Sequence, residues 1–227
     1  MNLTALATMA VDAPLRTLTE AFTEQSGHRM HVQVDTSPNI ARRLAAGETA
    51  DILIAQATAI GELIADGRAF GDSRTPIGKI GVGVAVSRGG TRPDISTAEA
   101  LQTALLQADA VVYSGGASGV YVEQMLRDVG VADRIAAAIV HLPSGAAVME
   151  RLGASLSHEI GFTMISEVML GELHGGSLVG PLPATLQRYT VYDAVVMSGS
   201  QAPETARAFV GVIGSPAARE IFAASGW

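Results

Sequence analysis

Three side chains stand at the end of an apolar run, where a proton could be moved. Glu167 lies just past Glu159–Ile165, His141 lies within Ile139–Leu142, and Asp12 closes the run that begins at Leu3. The chemistry open to such groups without a cofactor is proton transfer next to a carboxylate. It needs one base and hydrogen-bond donors for the enolate-like charge that develops. For each of the three, a solvated or structural residue is the default reading. Arg68 and Arg74 fall in the stretch 68–79, from which a guanidinium could grip a carboxylate in a bidentate way or simply face solvent. The five histidines are scattered, with no H-x-x-x-H pair, so no metal site and no cofactor are expected. "GGASGV" is not a nucleophile elbow, because Val120 occupies its last glycine position. No dinucleotide or phosphate-loop glycine pattern is present.

A second set of residues could hold an anion instead of reacting with it. Four stretches, Leu3–Asp12, Val32–Asn39, Ala110–Gly119 and Ile139–Ala146, share one form: an apolar run, a short Ser/Thr/Gly loop, then the start of a helical pattern. A helix start exposes unpaired N–H groups and the positive end of the helix dipole, and so favours an anion. The loops supply Thr8, Thr36, Ser37, Ser114, Ser118 and Ser144, with Gly115, Gly116, Gly119 and Gly145 among them. These hydroxyls could be ordinary helix caps. As a set in matched loops, they predict contact with a small anionic ligand.

The elements that must position these residues follow from periodicity. Apolar strands alternate with helical stripes along the whole chain, which predicts α/β layers with mixed, mostly parallel sheets. Ile80–Ser87 and Tyr189–Ser198 read as crossover strands, 68–79 as a turn-rich connector, and Ser96 as the cap of a helix with Glu99 in a capping box. Residues 36–56 and 143–166 repeat one order of loop, helix, glycine and strand. The chain is thus expected to form two similar α/β lobes, 1–84 with 190–227 and an inserted 85–189, joined by two crossover strands. Ligands of such sheets bind beyond the carboxyl ends of the strands, so the loops of the two lobes are expected to face one cleft.

Composition narrows the function. With 227 residues, 48% hydrophobic and 16% charged, the chain can bury a sizeable core. A net charge of −7 argues against non-specific nucleic-acid binding. There is no cysteine, hence no disulfide, thiolate site or cysteine nucleophile. No apolar run approaches the roughly 18 residues a membrane span needs. The first strand follows Met1 almost at once, with no basic and apolar leader ahead of it. The expected location is cytoplasmic as the sequence stands, or periplasmic if an export signal has been removed.

The segments "ALATMAVDAPL", "NIARRLAAGETADILIA", "ASGVYVEQML" and "FVGVIGSPAAREIFAASGW" together resemble the molybdate-binding, ModA-like branch of the type II periplasmic-binding-protein fold. The resemblance covers essentially the whole chain. It implies a solute-binding protein that closes on its ligand and, if exported, serves an ABC permease. In that family two serine hydroxyls, several backbone N–H groups and a tyrosine hydroxyl hold the oxyanion. The first loop of this chain offers Thr8, Met9 and Ala10, and the family's first serine falls on Ala10. The second falls among Thr36, Ser37 and Pro38, with Ser37 the best match. The backbone contacts fall on Ser118, beside Gly119, and near Gly145, beside Ser144. The tyrosine falls on Met164. Loss of one hydroxyl and of the tyrosine points away from molybdate and toward an organic carboxylate. The family also includes an isomerase of a small tricarboxylate, aconitate. The alternative expectation is therefore a cofactor-independent isomerase or tautomerase, with Glu167 or His141 as its base.

Overall fold

The computed structural model describes residues 2–227, with Ala117 described by its backbone alone. In chain order the elements begin with β1 (Asn2–Thr8), α1 (Asp12–Ser26), β2 (Arg29–Asp35), α2 (Ser37–Ala45), β3 (Ile52–Gln56), α3 (Ala57–Ala65) and β4 (Thr75–Ser87). They continue with α4 (Ala98–Gln107), β5 (Ala110–Ser114), α5 (Ala117–Asp128), β6 (Ile139–Leu142), α6 (Gly145–Ala154) and β7 (Glu159–Met164). The last are α7 (Ile165–Gly171), β8 (Gly176–Pro181), β9 (Tyr189–Val196), α8 (Pro203–Ile213) and α9 (Pro216–Ala224). The chain divides into two compact units, one made of the residues up to Lys79 with Thr190–Trp227, the other of Ile80–Tyr189. The first crossing therefore lies within β4 at 79/80, ahead of the boundary at 84 expected from sequence, and the second lies at the start of β9.

In the first unit β2 and β3 flank β1 in parallel, and β9 runs antiparallel on β3. A strand covered on both faces reads as a nearly continuous apolar run, and β1 has Leu3 and the run Ala5, Leu6 and Ala7. Leu3, Ala5 and Ala7 pack with Leu15, Leu18 and Phe22 of α1 and with Phe209 and Phe222 of α8 and α9. Leu6, on the opposite face, packs with Ile40 and Leu44 of α2 and Ile60 and Leu63 of α3.

The second unit repeats the plan. Strands β6 and β7 flank β5 in parallel, β4 runs antiparallel on β7, and β8 pairs with β4. Val111, Tyr113, Ile160 and Phe162 face α4 and α5 through Leu101, Leu105, Val122 and Met125. Ala110 and Val112 face Val148, Met149 and Leu152 of α6 and Val168 of α7. The internal repeat in the sequence is thus a repeat of topology: a central strand, a parallel neighbour on each side, and an antiparallel strand beyond.

Three expectations need correction. Thr97, not Ser96, caps α4, its Oγ1 accepting the Ala100 N–H at 3.1 Å, while the Ser96 N–H is taken by Asp94 in a turn. The supposed connector ends early, because β4 begins at Thr75. Helix α7 and strand β8 were not foreseen as elements.

Candidate functional site

Every parallel strand that has a helix after it passes into that helix within a few residues. The carboxyl edge of each sheet is therefore a rim of three helix starts: α1, α2 and α3 in the first unit, α5, α6 and α7 in the second. The predicted ligand residues lie on these two rims.

On the first rim, β1 ends at Thr8 and a short turn, Met9–Val11, leads into α1. Ala10 is buried there. Thr8 is only 2% exposed, and its hydroxyl has no hydrogen-bond partner. It follows Leu6 by two residues, so it lies on the sheet face covered by α2 and α3. Buried hydroxyls are nearly always paired, so an orphan at a helix-lined rim calls for an explanation. Thr36 precedes α2 and makes no side-chain capping bond, and Ser37 and Pro38 open the helix. Asp35, which pairs in register with Thr8, was missed in the sequence. Its carboxylate accepts the Thr36 N–H at 2.8 Å and the Asn39 side-chain amide at 2.7 Å, and it faces Arg43 at 3.5 Å. Burial alone would raise its pKa, but the bonds from Asn39, Thr36 and Arg43 together hold it below the usual carboxylate range.

The arginines and Asp12 are engaged within this unit. Asp12 forms a bidentate pair with Arg16 at 3.0 and 2.9 Å, in the first turn of α1. Arg68 donates to the Leu44 carbonyl at 2.8 Å. Arg74 donates from Nε to the buried Asp193 at 2.6 Å and from Nη2 to the Ala57 carbonyl at 3.0 Å. Arg74 and Asp193 meet across the sequence, and no local pattern announces that pairing.

On the second rim, Ser114 ends β5 and Ser118 lies in the first turn of α5; both are buried. A Cβ on Gly119 would overlap the Ser114 carbonyl, so α5 can start this close to its strand only with glycine there. Ser144 is an ordinary cap, its hydroxyl accepting the Ala147 N–H at 3.2 Å. Next to it, Gly145 is buried against two side chains of other elements. A Cβ there would overlap both the Glu167 Oε2 and the Thr163 Oγ1.

Three predicted residues thus meet: Gly145 of α6, Met164 at the junction of β7 with α7, and Glu167 in the first turn of α7. Thr163, fully buried on β7, is a fourth member that the sequence reading missed. Its hydroxyl donates to Glu167, and the Met164 N–H donates to the same carboxyl at 3.3 Å. Burial pushes the Glu167 carboxyl above the ordinary glutamate range, and the Thr163 and Met164 bonds only partly offset this. The Met164 side chain is buried.

His141 does not join this cluster. It pairs in register with Tyr113 on the edge strand β6, its ring 4.6 Å from that of Tyr113. Tyr113 belongs to the α4/α5 face, whereas Gly161 and therefore Thr163 face α6. His141 and Glu167 sit on opposite faces of one sheet. Among the described residues no His, Asp or Glu group could hold a metal, and no helix is long and apolar enough to cross a membrane.

Comparison with known proteins agrees with this fold. A family model described as bacterial extracellular solute-binding protein matches residues 3–227. An aconitate isomerase from a Pseudomonas species is 31% identical over 99% of this chain and 87% of its own. The periplasmic molybdate-binding protein of Azotobacter vinelandii superposes with a TM-score of 0.78 at 19% identity, covering 99% of this chain and 97% of that one. The sulfate-binding protein SubI of Mycobacterium tuberculosis gives 0.75 at 16% identity, over 100% and 86%. The chain belongs to the bacterial extracellular solute-binding protein family and carries the ModA-like, type II periplasmic-binding-protein fold.

Proposed function

We propose that this protein binds a small organic di- or tricarboxylate, with donors drawn from helix starts at the carboxyl edges of its strands. The observation that carries the reading is the pair Ala10 and Met164. Both are buried apolar residues on the rims, and both stand where the resemblance places oxyanion-binding hydroxyls. A tetrahedral oxyanion in a dry site needs its oxygens bonded, at about 1–3 kcal/mol for each one left unpaired. Two missing donors therefore weigh heavily against molybdate or sulfate. The carbon skeleton of an organic acid turns the same two positions into favourable contacts. Thr8 supplies a hydroxyl beside Ala10, and the helix starts supply N–H groups for carboxylate oxygens. On the family pattern the protein would be exported and deliver its ligand to an ABC permease.

A thermal-shift screen tests this. Citrate, cis- and trans-aconitate and simpler dicarboxylates are compared with molybdate, tungstate and sulfate. Stabilisation by one or more carboxylates is expected. Stabilisation by molybdate or sulfate alone sinks the argument from Ala10 and Met164.

The second reading is a cofactor-independent isomerase of such an acid. It is favoured by the aconitate isomerase that is 31% identical across nearly this whole chain.

A further inference from the structure

Glu167 has more around it than a helix cap requires. As the third residue of α7 it reaches back to the Met164 N–H, which is half of an ordinary capping box. A cap needs nothing further. Here the same carboxyl oxygen also accepts the hydroxyl of the fully buried Thr163, and the first residue of a neighbouring helix lacks a Cβ where that carboxyl sits. Three elements, β7, α6 and α7, therefore fix one carboxyl at the rim. Glu167 itself is mostly buried there but keeps some exposure to solvent. Asp35, Glu48, Asp51, Asp94 and Glu99 are all held below their ordinary range, whereas Glu167 is held above it and is the stronger base.

We infer that Glu167 is the catalytic residue of an allylic proton shift in a bound unsaturated di- or tricarboxylate, with Thr163 and Gly145 as its positioning residues. The inference rests on the isomerase reading above. The Glu167 carboxylate takes a proton from the saturated carbon next to the double bond. The C–H electron pair becomes a new C=C bond, and the former π pair moves out as a dienolate on the substrate's own carboxylate. Helix starts on the rim stabilise that charge. The acid formed at Glu167 then protonates the far carbon, and the double bond has moved. One proton leaves and one returns, so no oxidant or reductant is involved.

The test is proton NMR of trans-aconitate and cis-aconitate with the protein in deuterated water, beside thermal-shift binding of the same acids. Wild type is expected to interconvert them and to place deuterium on the allylic carbons. Glu167→Gln keeps an acceptor for the Met164 N–H. It is expected to fold and to be stabilised by aconitate, but to exchange at least about a hundredfold more slowly. Thr163→Val removes a bond that lowers the carboxyl's pKa, so the pH at half-maximal exchange moves upward, a readout that mere destabilisation does not shift. Wild-type exchange rates in Glu167→Gln overturn the role of Glu167 and leave the isomerase reading standing. Binding of aconitate by wild type without any exchange overturns both and leaves carboxylate binding. Absence of binding by any carboxylate overturns the whole line.

Discussion

Replacing Thr8 by valine should separate stability from binding. Threonine and valine have the same shape and the same β-branched preference for a strand end, so the substitution removes one hydroxyl and little else. In the ligand-free protein that hydroxyl is buried at 2% exposure and unpartnered. An unpaired buried polar group costs about 1–3 kcal/mol. Thr8→Val should therefore unfold no earlier than wild type, and up to about 3 kcal/mol later by urea denaturation. In a chain of this size each kcal/mol raises the melting temperature by about 2–4 °C. Ligand affinity should move the other way. A hydroxyl donating to a carboxylate contributes about 1.5–3 kcal/mol, so its loss should weaken binding by about 10- to 150-fold in calorimetric titration. The opposite signs make the test sharp. If Thr8→Val loses stability without ligand and binds the ligand as wild type does, the hydroxyl is structural and the argument for it fails.

Other expectations concern the frame. Gly119→Ala places a methyl against the Ser114 backbone carbonyl, which cannot swing aside, and should cost about 1–3 kcal/mol by chemical denaturation. An unchanged midpoint would mean that α5 shifts freely on its strand. Asp51 accepts Ser200 Oγ at 2.6 Å and the Thr4 N–H at 2.8 Å. Burial opposes its ionisation, yet the bonds from Ser200, Thr4 and Gln201 hold its pKa down. A depressed folded-state pKa gives stability that is present above the unfolded value and lost as pH falls through the folded one. The gap between wild type and Asp51→Asn should thus be open at pH 7 and close in acid, and a gap independent of pH contradicts this. Glu167 has the opposite sign. Its raised pKa makes wild type lose stability as pH rises from the ordinary glutamate value through the folded one. Glu167→Gln should lack that slope in melting curves taken across pH.

Much of the fold was legible in the sequence because its signals are local. β1, β3, β5 and β7 are largely buried and read as apolar runs, whereas the edge strands β2 and β6 are only partly buried. Pro203 and Pro216 open the helices they were expected to open. The repeat of 36–56 in 143–166 foretold that α2 and β3 match α6 and β7. Helix α7 was missed because it starts on the residue after β7 ends, with no turn to separate them. For the same reason Thr163 and Glu167 did not look like neighbours: a strand-to-helix junction brings them together. Ser96 and Thr97 are both good caps by type, and only the Asp94 turn decides between them. Gly145 read as a loop contact, and its packing against Glu167 depends on a helix and a strand that meet only in three dimensions. The pairing of Arg74 with Asp193 is of the same kind. His141 shows the reverse failure, since alternation along β6 alone does not say which face holds a site.

The central claim is that the rims of this protein suit a carboxylate and not a compact oxyanion. Paired calorimetric titrations of the purified protein with trans-aconitate and with molybdate, in one buffer, test it most directly. Saturable binding of the carboxylate is expected, with molybdate bound at least about thirtyfold more weakly, the equivalent of two lost donors at the low end of their worth, about 1 kcal/mol each. Tight molybdate binding with none of aconitate would contradict it.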